Sequence, residues 1–419
     1  MKRAGSMKRA GSMKRAPAPR GDSHNFGRRV TVRRSRVEKP RTVLWEWLLL
    51  SAKSPLRRLL ASAAEEDGLG RDTFEFLPNL EFYSTEAEPT GEVEHVTLRP
   101  LPSLSRDERR ELAEIVGRAL ALFTWLGVSD LHWENLVLGA DARGRLVFGP
   151  LDVEMILADL ALPTETKLLP DPDPEYAVLC QHASGVRRVL PYLGKPVQPA
   201  DLLAMIGAYR RTVALLERHA REVADVFASL PALRSTPIRV CLRSTGDYVH
   251  ALHPDRYPRA EPLWPPLLDA EIEQLERGDI PYFFRLYGRR GIHYFGDEAL
   301  TEIRTLPLQG DVPQLDPILS VSRGLRSPSR KTLRDEGPFT LLGAFDHPSF
   351  SGTHSSPELE VTFGARALVL RFPDGEELHA RRNLRAFVSS VYLPCRCGEV
   401  RTVFVPPVTV CDARAPKTR

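Results

Sequence analysis

Two short segments constrain this 419-residue chain more than anything else in it: Asp130-Leu131-His132-Trp133-Glu134-Asn135, and Leu151-Asp152-Val153-Glu154 downstream. Between them, Leu136–Leu138 reads as a short strand, residues 139–144 as a turn rich in Gly and Asp, and Arg145–Phe148 as a return strand, with Gly149-Pro150 leading into Asp152. The predicted order is therefore loop, two short strands, acidic pair. Asp130 can orient an attacking hydroxyl, while Asn135, Asp152 and Glu154 can hold a magnesium ion that neutralises charge on a transferred phosphate. A lone D-x-H-x-x-N arises by chance, with its Asp capping a helix. The D-x-E at this distance favours phosphoryl transfer.

That layout is the active-site segment of a kinase fold, and other parts of such a site lie in the expected order. Gly21-Asp22-Ser23-His24-Asn25-Phe26-Gly27-Arg28 precedes a predicted strand, and Lys39-Pro40-Arg41 follows it. Phosphoryl transfer uses a glycine-containing loop over the phosphates and a strand-borne Lys beside them, which nominates Gly21, Gly27, Arg28 and Lys39 for ATP. Farther on, residues 238–245 alternate with period two. That spacing predicts a strand with Arg239, Cys241, Arg243 and Thr245 on one face, an anion-binding surface if it is not simply a solvated sheet face.

Charge is unevenly distributed. Residues 1–41 hold 14 Lys or Arg against Asp22 and Glu38, a net +12, so the other 378 residues carry −8 to reach the overall +4. The basic arm contains three tandem MKRA units with no core-forming residue. It reads as a disordered, solvated tail over 1–20, offering three possible start codons, and no nucleic-acid partner is expected. No apolar run approaches the ~20 residues of a membrane span, the basic start lacks an apolar stretch behind it, and five cysteines make no disulfide framework. A cytoplasmic location is the default. Cys395, Cys397 and Cys411 have no fourth ligand at zinc-site spacing and read as incidental thiols, although His379 could join them in space.

Helix-like patterns cover 42–61, the segment opened by the capping-box sequence Ser105-Arg-Asp-Glu108 and closed by Gly127, about 201–230, and about 267–277. From about Glu336 onward the pattern predicts strands and turns. These readings divide the chain into a tail (1–20), an N-lobe-like nucleotide-binding region (21–104), a C-lobe-like catalytic region (105–300) and a β-rich region of unassigned role (301–419). The fold class is α+β with a kinase-like, two-lobed core.

Taken together, the motifs resemble the dehydratase domain of class II lanthipeptide synthetases, whose core is lipid-kinase-like. The resemblance rests on G-D-x-H-x-x-G-R at Gly21–Arg28, K-P-R at Lys39–Arg41, V-E-H at Val93–His95 and D-L-H-x-E-N at Asp130–Asn135. It continues through D-x-E at Asp152 and Glu154, R-x-x-x-R-x-T-x-x-Y at Arg239–Tyr248 and G-D-I-P-Y-F at Gly278–Phe283. It spans roughly residues 21–285 and implies an enzyme that phosphorylates Ser and Thr of a precursor peptide with ATP and Mg2+, then eliminates phosphate to leave dehydroalanine or dehydrobutyrine. By the same resemblance, Lys39, Asp130, His132, Asn135, Asp152 and Glu154 serve phosphorylation, and Arg239 and Thr245, with Asp22 and His24, serve elimination. Family members carry a helical section ahead of G-D-x-H, where this sequence has the basic repeat, and the motifs of their zinc-binding cyclase are not present after residue 300. A Ser/Thr/Cys-containing precursor peptide and a separate cyclase are the expected partners. Two alternatives stand beside this reading: a kinase that stops at the phosphorylated product, and a non-catalytic protein that binds peptide or nucleotide.

Overall fold

The computed structural model describes residues 22–33, 35–84, 90–157, 163, 166–169, 184–194, 196–243, 245–256, 266–287, 289, 291–307, 337–347 and 349–382, and the backbone alone of 19–21, 164–165, 390–394, 400–404 and 408–411. The MKRA repeats, Cys180, Cys395 and Cys397 lie outside these residues.

Strands β1 (Pro19–His24), β2 (Arg28–Val32), β3 (Arg36–Lys39) and β4 (Gly91–Glu94) form an antiparallel sheet in sequence order. The turn between β1 and β2 places three successive residues at positive φ, Asn25, Phe26 and Gly27. Helices α1 (Leu44–Leu50) and α2 (Pro55–Glu66) fill the connection from β3 to β4. The continuous helix expected over 42–61 is broken between them. Pro55 has no N–H to continue the ladder, and the Ser54 hydroxyl accepts from Arg57 N at 3.1 Å, which starts a second helix instead.

Helix α3 (Arg106–Trp125) opens with a formed capping box: Glu108 N–H donates to Ser105 Oγ at 3.2 Å and Ser105 N–H donates to Glu108 Oε2 at 2.8 Å. It closes through Gly127 at φ 62°. Strands β5 (Leu136–Ala140) and β6 (Leu146–Pro150) then form the hairpin read from the sequence, in a register pairing Leu136 with Pro150. Because β5 starts and β6 finishes at the open end of the hairpin, Asn135 and Leu151 become neighbours, and Leu151 N–H donates to Asn135 O at 3.0 Å.

After a short α4 (Leu190–Leu193), α5 (Pro199–Arg218) packs on α3 so closely that a Cβ on Gly117 would lie 2.0 Å from Met205 O. The single helix expected over about 201–230 is two, because His219 leaves helical geometry before α6 (Ala220–Ala228) and turns with Arg218 toward Asp67 at the end of α2. A second antiparallel sheet follows, β7 (Pro237–Val240), with β8, β9 and β10 beyond α7 (Thr245–Leu252) and α8 (Asp269–Glu276). Its remaining strands are β8 (Phe283–Leu286), β9 (His293–Phe295) and β10 (Ile303–Thr305), in the order β10-β9-β8-β7. The C-terminal part holds α9 (Gly337–Phe345) and strands β11 (Gly352–Ser355), β12 (Glu360–Phe363), β13 (Ala367–Arg371), β14 (Glu377–Arg382), β15 (Ser390–Pro394), β16 (Val400–Phe404) and β17 (Val408–Cys411). Five of them form a sheet ordered β11-β12-β13-β14-β17, and β15 pairs with β16.

This is an α+β structure. The segment after Glu336 is rich in strands, as its pattern predicts, and it opens with α9, a helix buried nearly all round that so lacks the one-sided pattern marking a surface helix. Its Gly337 sits against Tyr209 of α5, where a Cβ would approach the hydroxyl oxygen to 2.1 Å and the ring to 2.3 Å. Through that contact the C-terminal sheet joins one continuous core with α1, α3 and α5, from Leu44 through Leu120 and Tyr209 to Leu370. The β7–β10 sheet has a smaller core of its own around Phe283 and Ile292. Among the described residues, no helix is long and apolar enough to cross a membrane.

Candidate active site

The site is assembled where the end of β3, the segment after β6 and the edge strand β7 converge. Lys39, the last residue of β3, is buried, and its ammonium donates to Glu46 Oε1 at 3.0 Å and to Leu151 O at 2.9 Å. It also lies 3.6 Å from Asp152 Oδ1. Glu46 comes from the first turn of α1 and is only 1% exposed. Two residues beyond Lys39, the Arg41 guanidinium bridges three carboxylates: Glu46 at 2.5 Å, Glu154 at 3.0 Å and Asp152 in direct contact. Arg239 completes the cluster from β7. Its guanidinium meets Glu154 Oε1 at 2.5 Å, and its N–H donates to Glu154 O at 2.8 Å.

This is three carboxylates balanced by three cations in a largely buried setting. Burial alone would raise the Asp152 pKa, but Arg41, then Lys39 and Arg239, hold its carboxyl well below the usual carboxylate range. The Asp152 side chain keeps 34% of its surface exposed, which leaves it open to a ligand.

A second group surrounds Asp130. This residue has a positive φ of 64°, unusual outside glycine, on the loop that follows Gly127. Asn135 Nδ2 donates to Asp130 O at 2.9 Å and to Asp130 Oδ2 at 3.1 Å, and Lys167 donates to Asp130 Oδ1 at 3.0 Å. His132 Nε2 lies 3.9 Å from Asp130 Oδ2. The loop is braced by main-chain bonds, Ser129 N–H to Met155 O at 3.0 Å and Leu131 N–H to Thr166 O at 2.9 Å. The first of these ties the Asp130 loop directly to the segment that carries Asp152 and Glu154.

Asn135, Asp152 and Glu154 are hard oxygen donors of the kind Mg2+ takes. Because Asn135 Nδ2 is committed to Asp130, its Oδ1 is the atom able to face a cation. Among the described residues, no three His, Cys, Asp or Glu side chains converge as a ready-made metal cage. Mg2+ needs none when it arrives with a nucleotide, since phosphate and water oxygens complete its octahedron. The donor set fits Mg2+, in competition with Arg41 for the same two carboxylates.

The glycine loop is arranged differently from a free phosphate cradle. The donors at its tip converge on Asp279, whose carboxylate accepts from Ser23 Oγ at 2.6 Å, Phe26 N at 2.7 Å and Gly27 N at 3.0 Å. Gly21 lies in β1, Asp22 is exposed beside it, and Arg28 donates to Glu298 O at 2.7 Å. His24 is turned inward. Its Nδ1 is 2.7 Å from Ile280 O, its ring stands edge-on to Tyr282 at 5.8 Å, and its pKa is lowered by burial and by the charge of Arg239. Tyr282 also lies under Arg239, 5.6 Å from ring to guanidinium carbon.

The face predicted for residues 238–245 is corrected. The strand ends at Val240, and Thr245 is the exposed first residue of α7. The cause is Glu271 of α8, a fully buried carboxylate that draws Arg243 to 2.8 Å and the Tyr248 hydroxyl to 2.6 Å, and so turns the chain away from the sheet. Arg239 therefore reaches the carboxylate cluster without Arg243. Sequence reasoning assigned no role to Glu46, Arg41, Lys167, Asp279 or Tyr282. Arg41, Asp279 and Tyr282 lay inside motifs already singled out, whereas Lys167 carried no signal. Beside the cluster, a cleft of ≈ 200 Å3 is lined by Asn25, Arg41, Thr42, Pro237, Tyr282 and Leu300 among others.

No protein-family model matches this chain, and no curated protein matches it significantly.

Proposed function

We propose that this protein is a phosphotransferase with a kinase-like, two-lobed core, and that it acts as a peptide Ser/Thr dehydratase of the lanthipeptide type. The observation that carries the reading is the buried contact of Lys39 with Glu46 and Asp152. A strand lysine paired to a helix glutamate and placed beside a metal-binding aspartate is how kinases position nucleotide phosphates. In this reading the N-lobe is the β1–β4 sheet with α1 and α2, and the catalytic lobe begins at α3.

Lys39 positions the phosphates of ATP. Asp130, oriented by Asn135 and Lys167, accepts the hydroxyl proton of a Ser or Thr, and His132 supports that loop. Asn135, Asp152 and Glu154 hold Mg2+, which when bound supplies charge neutralisation on the phosphates. Elimination then needs a base for the α-proton and a cation for the departing phosphate. His24, kept neutral by burial, takes the proton. Arg239 receives the phosphate as the Cβ–O bond breaks and the Cα=Cβ double bond forms. That Arg239 touches Glu154 supports one site serving both steps, to which Asp22 and Thr245 are assigned by the resemblance.

The test is incubation with ATP, Mg2+ and a candidate Ser/Thr/Cys-rich precursor peptide, read by mass spectrometry. Loss of water, ~18 Da per residue, is the expected product. Accumulation of phosphate alone would assign a kinase that stops at the first step, and no mass change with no ATP turnover would overturn the proposal.

A further inference from the structure

The Gly278–Phe283 run has no part in the chemistry above, yet it is the segment on which the β1–β2 turn rests. Asp279 is fully buried and touches no cation in the charge cluster. Its Oδ1 accepts from Ser23 Oγ and Gly27 N, and its Oδ2 accepts from Phe26 N. The positive φ values of Asn25, Phe26 and Gly27 turn successive N–H groups to one side, which makes a small anion-binding concavity. A carboxylate from more than 250 residues away fills it. The next residue repeats the connection, Ile280 N–H donating to Ser23 O at 2.8 Å, and its own carbonyl meets His24 Nδ1 at 2.7 Å.

A carbonyl oxygen can only accept. The contact therefore requires the proton on Nδ1, and in the neutral ring it leaves the lone pair on Nε2. We propose that Asp279 is a positioning residue which, by clamping the Ser23–Gly27 turn onto Ile280, fixes His24 in the Nδ1–H tautomer with Nε2 as the basic atom. The proposal rests on the dehydratase reading for the use made of that base, while the tautomer itself is independent of it. Free imidazole favours the opposite tautomer, so the clamp has a definite state to enforce. The charged and titratable groups around the ring are Asp22 on β1, Glu154 on the acidic segment, Arg239 on β7 and Tyr282 after α8. Among them, Asp22, Glu154 and Arg239 act through space, and Tyr282 meets the ring edge-on. The Ile280 carbonyl is thus the contact that selects one ring nitrogen over the other.

The experiment is 15N–1H correlation of histidine side chains in the full chain labelled at its imidazole nitrogens, with His24→Gln identifying the His24 signals. Wild type should show protonated Nδ1 and unprotonated Nε2. Asp279→Ala should lose that pattern and move to a mixture rich in the Nε2–H form. Asp279→Asn is the control for folding. It keeps one oxygen for the turn but cannot accept from both sides, and should fall between the two. With a synthetic phosphoserine form of a candidate precursor peptide, Asp279→Ala should slow elimination on the order of 10²-fold, as expected for a displaced catalytic group, and add nothing in a His24→Gln background. An unchanged His24 tautomer in both Asp279 variants would overturn the proposal. Should wild type show the tautomer but eliminate nothing from the phosphopeptide, the clamp stands and the dehydratase reading falls.

Discussion

Arg239 and Glu154 are joined twice, by guanidinium to carboxylate at 2.5 Å and by Arg239 N–H to Glu154 C=O at 2.8 Å. The main-chain bond docks the acidic segment along β7, so the side-chain pair is set by strand register and not by two flexible side chains finding each other. Glu154 then accepts Arg41 on its other oxygen at 3.0 Å. Any change at Arg239 consequently reaches Asp152 through Arg41.

Asp152→Asn should abolish ATP turnover, by at least ~100-fold, because the neutral amide neither holds a divalent cation as well nor balances Lys39 and Arg41. Far-UV circular dichroism should be unchanged, since the side chain is partly exposed. Wild-type ATP consumption by this variant would remove Asp152 from the metal site.

Arg239→Ala should spare phosphorylation more than elimination and leave a peptide carrying phosphate, ~80 Da per site, with a barrier higher by about 2–4 kcal/mol for the second step. Thr245→Ala tests whether the resemblance carries over at a residue that starts α7 and is not on β7. It should give the same product with a smaller loss. Normal dehydration by both variants would separate this strand from elimination.

Glu46→Gln removes the shared buried counter-charge of Lys39 and Arg41. Taking one partner out of a buried ion pair costs about 3–5 kcal/mol, and here the amide oxygen retains part of the hydrogen bonding, so about 3 kcal/mol is expected. The measurement is the urea midpoint at neutral pH, paired with ATP turnover, which should fall as Lys39 shifts. An unaltered midpoint would show that the pair contributes no net stability.

Stability should also respond to acid. The folded Asp152 carboxyl is held below its usual value because Arg41, Lys39 and Arg239 outweigh the opposing effect of burial. A carboxyl depressed on folding stabilises the protein above its unfolded value, ~3.9 for Asp, and that contribution is lost as pH falls through the lower folded value. The contribution of Asp152 should be level from neutral pH to about pH 5 and decline below ~4. In Asp152→Asn the decline should be shallower. An identical acid profile in the two proteins would place the sensitive carboxylate elsewhere.

The parts of the site written in local spacing were legible without a structure. The β5–β6 hairpin follows from its turn residues and strand lengths, and closing it brings Asn135 next to Leu151. Ser105, Glu108 and Gly127 mark the two ends of α3 because caps are chemistry of adjacent residues. Misreadings arose where a distant partner decided the outcome. Alternation through residues 238–245 promised one strand face, but a buried Glu271 drew Arg243 aside. The segment 337–345 became helical because Tyr209 and the surrounding core cover it on all sides.

By itself, then, the sequence determined which residue types could do phosphoryl chemistry and in what order along the chain they occur. The tertiary structure decided which of them meet. Glu46 joins Lys39, Arg41 spans Asp152 and Glu154, and Asp279 holds the turn that carries His24. The reason is physical. A buried charge is stable only when hydrogen-bond donors or a counter-charge are brought to it, and the packing of elements far apart in the chain supplies the Ser23 hydroxyl and two backbone N–H groups to Asp279 and the Arg243 guanidinium to Glu271.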